Sequence, residues 1–158
     1  MITLQISEQQ ARKMYSTASK ELKEKLEASC SKDVLSGSIM DRVKTFEDAC
    51  KELGRQPYNV DSLMKLGLTK NDIAYQKMVV IVEALNEGWK PDVCNSGVER
   101  WYPWFKPNGS PSSFAFLGSF CDFGAAGAGS GSRLALKSEQ LANYCGKQFI
   151  ELWKEMLL

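Results

Sequence analysis

Thr69-Lys-Asn-Asp-Ile-Ala-Tyr-Gln-Lys-Met-Val-Val-Ile-Val-Glu-Ala-Leu-Asn-Glu-Gly88 is the stretch that decides the fold. Thr69, followed three residues later by Asp72, has the form of a capping box, in which each side chain takes up a backbone N–H that the first helical turn leaves over. Beyond it Ala74, Met78, Ile81 and Leu85 recur at helical spacing, and Ile73, Val80 and Ala84 widen the stripe. So broad an apolar face predicts a helix central to the core, stopped by Gly88 and Pro91.

Towards the N-terminus the pattern stays helical. Asp61 to Leu66 reads as a short helix ended by Gly67, and Arg55 to Asn59 as a turn. Thr45 and Asp48 repeat the capping box before Phe46, Ala49, Cys50 and Leu53, an inward face that Gly54 terminates in a left-handed conformation. Ser31 to Ser38 reads as a loop. Leu22 and Leu26 mark a Lys/Glu-rich surface helix from Ser19 to Ser29. The first element has two readings: Ile2, Leu4 and Ile6 alternate as in a half-buried strand, while Ser7 and Gln10 suit the cap of a helix from Glu8 to Tyr15.

The character changes after Trp89. Trp101-Tyr-Pro-Trp-Phe105 is aromatic and β-prone, and Pro103, lacking an N–H, places it at a sheet edge. Pro107 to Pro111 reads as a turn. Short strands are expected at Ser113 to Leu117, Ser119 to Phe123 and Arg133 to Lys137, paired antiparallel, with the glycine-rich run Gly124 to Gly131 between the last two. Ser138 and Glu139 open a final helix whose Leu141, Cys145, Phe149, Leu152 and Met156 cover the sheet. The expected fold is therefore α+β in a single domain over 1–158: mainly helical over 1–90, and short strands with a closing C-terminal helix over 91–158.

The chain has 158 residues, enough to bury a core without disulfides or metal. Twenty basic residues stand against nineteen acidic, interleaved as in Lys20-Glu-Leu-Lys-Glu-Lys25, a solvated face and not a phosphate-binding stripe. Five cysteines at irregular positions imply reduced thiols, mostly small core fillers. Histidine is absent, which removes imidazole-based triads and histidine-ligated metals. No apolar run reaches membrane-spanning length, and no secretory signal is recognisable, so the chain is expected to stay in the cytoplasm of the producing cell or to leave by a route needing no signal, such as release inside an assembled particle.

Chemistry-bearing motifs are few. The glycine-rich run lacks the Lys-Ser/Thr ending of a nucleotide loop and leads into strand-like sequence. Cys121 stands beside Asp122, a carboxylate that would raise its pKa instead of activating it. Glu83 and Glu87 share a helix face as solvated carboxylates would. None of these selects an enzyme, a cofactor or a metal. From Pro107 to Leu136 the chain carries no Lys, Glu, Gln, Met or Trp, and its only charges are Asp122 and Arg133. Such a bias suits a binding surface carried on a helical frame. Trp101, Tyr102, Trp104, Phe114, Phe116, Phe120, Asp122, Phe123 and Arg133 are its candidate contacts. The helices of residues 45–89 offer an alternative regulatory or nucleic-acid-associated role, although an arginine-rich recognition face is missing and nucleic acid is the weaker expectation.

The strings Thr45-Phe-Glu-Asp-Ala-Cys-Lys-Glu-Leu-Gly54, Ala84-Leu-Asn-Glu-Gly-Trp-Lys-Pro-Asp92, Tyr102-Pro-Trp-Phe105 and Gly131-Ser-Arg-Leu134 with Lys137-Ser138 resemble a family of uncharacterised proteins from gut Bacteroides and their phages or prophages. That resemblance implies a genomic setting and a segment between the Pro-Trp-Phe and Gly-Ser-Arg strings that differs among relatives. The biased stretch is also similar to the variable proteins of diversity-generating retroelements, in which codons randomised from Asn cannot yield Lys, Glu, Gln, Met or Trp. Those proteins use a C-type lectin-like fold ending in a strand, whereas a helix is expected to end this chain. Together these readings imply a non-enzymatic binding or structural protein that presents residues of about 108–132 to a protein or carbohydrate partner.

Overall fold

The computed structural model describes residues 6–106, 110–123 and 132–158, which group into two compact units divided after Arg42. The expected strand at Ile2 and Leu4, most of the turn from Pro107 and the glycine-rich run Gly124 to Gly131 lie outside the described residues.

In the first unit, helices α1 (Glu8–Thr17), α2 (Lys20–Ser29), α3 (Lys32–Ser36) and α4 (Ile39–Arg42) follow one another. Ser7 and Gln10 complete a reciprocal capping box, so the helical reading of this segment holds. Ala11, Leu26 and Leu35 form a small core flanked by Tyr15, Leu22 and Cys30. Leu35 explains why Ser31 to Ser38 is not a plain loop. That side chain is buried in the small core, and the turn that carries it closes on the Ser31 carbonyl, which accepts from the N–H groups of Val34 and Leu35 at 3.0 and 3.3 Å. Arg12 ties the same turn to α1 through the Val34 carbonyl.

The second unit is built on α7 (Lys70–Leu85), which packs against α5 (Phe46–Glu52) and α9 (Ile150–Leu157), with α6 (Val60–Lys65) beside it. Every residue expected on the α7 stripe is buried, and both Thr-Asp capping boxes are formed. Gly54, Gly67 and Gly88 take positive φ of 65°, 89° and 90° at the ends of the three helices, a conformation that a Cβ would strain. The expected closing helix is two pieces, α8 (Glu139–Gln148) and α9. Phe149, buried at the junction with φ −110° and ψ 28°, separates them, and Trp153, four residues on, is buried with it.

The sheet is smaller than expected. β1 (Arg100–Lys106) and β2 (Ala115–Asp122) pair antiparallel, and Pro111–Ser113 forms a 3₁₀ turn before β2. Gly118 does not divide β2 into two strands, because it pairs with Trp104 and the ladder resumes at Phe105 and Phe116 after a one-residue shift in register. Nor does Arg133 to Lys137 form a strand. Ser132–Leu134 is a 3₁₀ turn, Ser138 already caps α8, and the extended residues between them make one bridge, Leu136 to Trp101, with N···O distances of 2.9 and 3.0 Å. By the alternation of strand hydrogen bonds the next donor on that edge of β1 would be Pro103, which has none. Pro103 therefore limits the third strand, an edge role as expected.

Candidate functional site

The two faces of the β1–β2 hairpin hold most of the candidate residues, and they hold them apart. Trp101, Pro103 and Phe105 alternate onto the inner face, against α8 and α9. Phe105 stacks on Phe114 at 4.9 Å between centroids, meets Phe116 edge-on at 6.1 Å and reaches Trp153 at 5.4 Å. Gly146 of α8 lets the helix approach this face, since a Cβ there would lie 2.8 Å from the Pro103 side chain and closer still to the Phe116 ring. Phe114 and Phe116, expected as contacts for a partner, are thus largely spent on internal packing. A register shift after Trp104 inserts an extra residue in β2 and carries Phe116 to the inner side.

Tyr102, Trp104 and Phe120 share the outer face. Trp104 and Phe120 are each 53% exposed, and their rings meet edge-on at 5.8 Å with 68° between planes. Leu117 at the bulge and Phe123 just past β2 are 66% and 65% exposed. Tyr102 is half-buried, and burial raises its phenol pKa above the usual value. Asp122, half-buried, stands opposite Arg100 across the ladder. Arg100, only 1% exposed, was not signalled by the sequence: an arginine between Glu99 and Trp101 reads as surface. Trp101 keeps its indole N–H on Glu99 at 3.2 Å, and its backbone on Leu136.

Arg133 belongs elsewhere. It lines a cleft of about 440 Å³ at the end of α7, together with Val79, Val82, Glu83, Asn86, Trp89, Lys90 and Pro91. Asn86 is buried and holds the segment after the 3₁₀ turn: its side-chain N–H donates to the Ala135 carbonyl at 2.8 Å, and its side-chain oxygen accepts from the Lys137 N–H at 3.0 Å. It occupies the place that a neighbouring strand would take. Sequence reading passes over Asn86 as a helix-ending polar residue, and only a partner 49 residues away in the chain reveals its work. Glu83 receives Arg55 in a bidentate pair, both N···O distances being 2.7 Å, while its side chain stays 41% exposed, a solvated acid with a partner.

The thiols follow burial. Cys145 is enclosed, pushed up to about 12 by desolvation although the Trp153 indole offsets part of this, and Cys50 is raised in the same sense. Cys121 is raised first by burial and next by Glu99, with Asp122 a lesser cause. Cys50 and Cys145 fill the core as expected; Cys30 and Cys121 are half-buried and Cys94 is exposed. Among the described residues no helix is long and apolar enough to cross a membrane. Compared with protein-family models, curated proteins and solved structures, the chain finds no match.

Proposed function

We propose that this is a non-catalytic binding or structural protein of phage or prophage origin, whose hairpin presents its outer face, with Trp104 and Phe120, to a protein partner. One observation carries the reading: Trp104 and Phe120 stand half exposed on a sheet whose other face packs against α8. Aromatic side chains of this size are seldom left in water by a domain with room to bury them, and clusters of them supply the anchors of interfaces. The 68° angle between the two rings makes a wedge, which suits a pocket on a protein better than the flat face of a sugar. The phage setting rests on the shared sequence strings alone. A nucleic-acid role for the 45–89 helices has less support, because α7 gives most of its surface to the core.

The test is retention of partners by the immobilised chain and by its Trp104→Ser, Phe120→Ser double variant, from extracts of phage-infected Bacteroides cells and on a glycan array. A protein held by the wild type and released by the folded double variant supports the reading. Retention of a glycan instead replaces the protein partner with a carbohydrate, and equal retention by both chains removes the outer face from consideration.

A further inference from the structure

The cleft at the end of α7 is a second place where apolar and charged side chains converge. Its floor and walls are apolar: Val79, Val82, Pro91 and the half-buried indole of Trp89. Its polar groups divide into two kinds. Glu83 is already neutralised by the two hydrogen bonds from Arg55, and both ends of the Asn86 amide are used on the backbone at Ala135 and Lys137. Lys90 and Arg133 remain. Both are exposed at the rim, and neither has an ion-pair or hydrogen-bond partner among the described residues. Among the described residues, therefore, two cations without a partner stand at an apolar cleft whose one acidic group is already paired.

From this arrangement we infer that the cleft binds a small organic anion: an aromatic or otherwise apolar body seated against Trp89 and the valines, with a carboxylate, sulfonate or phosphate held by Lys90 and Arg133. The volume of about 440 Å³ lies in the range of small-molecule sites. An exposed guanidinium and ammonium act best on an anion whose other end is desolvated, since the apolar walls lower the local dielectric. The helix C-terminus opposes this slightly, with a partial negative charge near half a unit. Its last carbonyls are engaged by Asn86, Glu87 and Trp89 N–H groups, and two full positive charges outweigh what is left. The site is separate from the outer face of the hairpin and does not depend on it.

The test uses two dyes with the same rings, 1-anilinonaphthalene-8-sulfonate and the uncharged N-phenyl-1-naphthylamine, titrated against the full-length chain by fluorescence. The sulfonate is expected to bind at one saturable site and the uncharged dye at least tenfold more weakly. Arg133→Gln and Lys90→Gln should each weaken the sulfonate by roughly tenfold, the loss of a charge-assisted contact. Arg133→Lys should keep most of the affinity, and the Trp104→Ser, Phe120→Ser variant all of it. Both glutamine substitutions are at exposed positions, and unchanged far-ultraviolet circular dichroism verifies the fold. The inference is overturned by no saturable binding, by equal affinity for the uncharged dye, or by loss of binding in the outer-face variant. It is equally overturned if the glutamine variants lower the melting temperature and leave the dye untouched, since the cations would then serve only the helix end.

Discussion

The inner and outer faces of one hairpin are made of the same kind of residue and do opposite things. Inside, Phe105, Phe114, Phe116 and Trp153 satisfy one another in ring contacts of 4.9 to 6.1 Å. Outside, Trp104 meets Phe120 edge-on, and both keep half of their surface in water. Aromatic content by itself therefore says nothing about binding. What separates the two sets is whether a helix covers them, and α8 covers the inner face because Gly146 allows it to come close.

Truncation on the two sides should break this pairing most plainly. Phe105→Ala removes the ring that touches all three inner partners and is expected to cost about 3 kcal/mol of unfolding free energy, near the lower end for a large aromatic because Phe105 is only partly buried. Trp104→Ala, one residue away, should cost less than about 1 kcal/mol. Denaturant melts of the two variants measure the contrast; equal losses would mean that the outer ring is structural and that its exposure signals no partner.

A smaller effect is expected at the helix that makes the inner face inner. Gly146→Ala adds one methyl group where the Phe116 ring and the Pro103 side chain already stand, and overpacking of this kind costs about 2 kcal/mol. Helix propensity pulls the other way by about 1 kcal/mol, since alanine suits a helix interior better than glycine. The net loss should be near 1 kcal/mol, and the compensating variant Gly146→Ala with Phe116→Leu should recover part of it. A stabilised single variant would show that α8 has slack, and that the close approach is not what seats the hairpin.

What the sequence made legible were the interactions that close within a turn of chain. The Ser7–Gln10, Thr45–Asp48 and Thr69–Asp72 caps, the left-handed glycines and the α7 stripe all depend on neighbours three or four residues away, and all are where their spacing put them. The strands and the candidate contacts were harder for a definite reason. Strict alternation places Phe116 and Phe120 on the same face, four residues apart, and the bulge after Trp104 reverses that parity between them. Bulges have no fixed residue signature, so Phe116 looked as free as Phe120. Arg133 to Lys137 had strand-like composition but shares its edge with Pro103 on one side and Asn86 on the other, two constraints that come from 30 and 50 residues away and leave space for one bridge only. The break at Phe149 was hidden because its apolar spacing continues through both helices.

Tyr102 marks where the open face begins, and its hydroxyl makes the boundary measurable with almost no effect at neutral pH. It lies on the same side as Trp104 but is half-buried, and desolvation raises its pKa, a tendency that Arg100 opposes and Asp122 reinforces. A raised pKa in the folded chain gives a stability contribution that is complete below the unfolded value near 10 and is lost as pH rises through the folded value. Tyr102→Phe removes this dependence while keeping the ring. The variant and the wild type should therefore melt alike at pH 8, and the wild type should fall behind progressively above pH 10. Taking the difference between the two chains cancels the alkaline titration of Tyr15, Cys50, Cys121 and Cys145, which shift in the same direction in both. Curves that stay parallel to pH 11 would show that the Tyr102 hydroxyl is as fully in water as the Trp104 ring, and the presented face would then extend along β1 as far as Tyr102 itself.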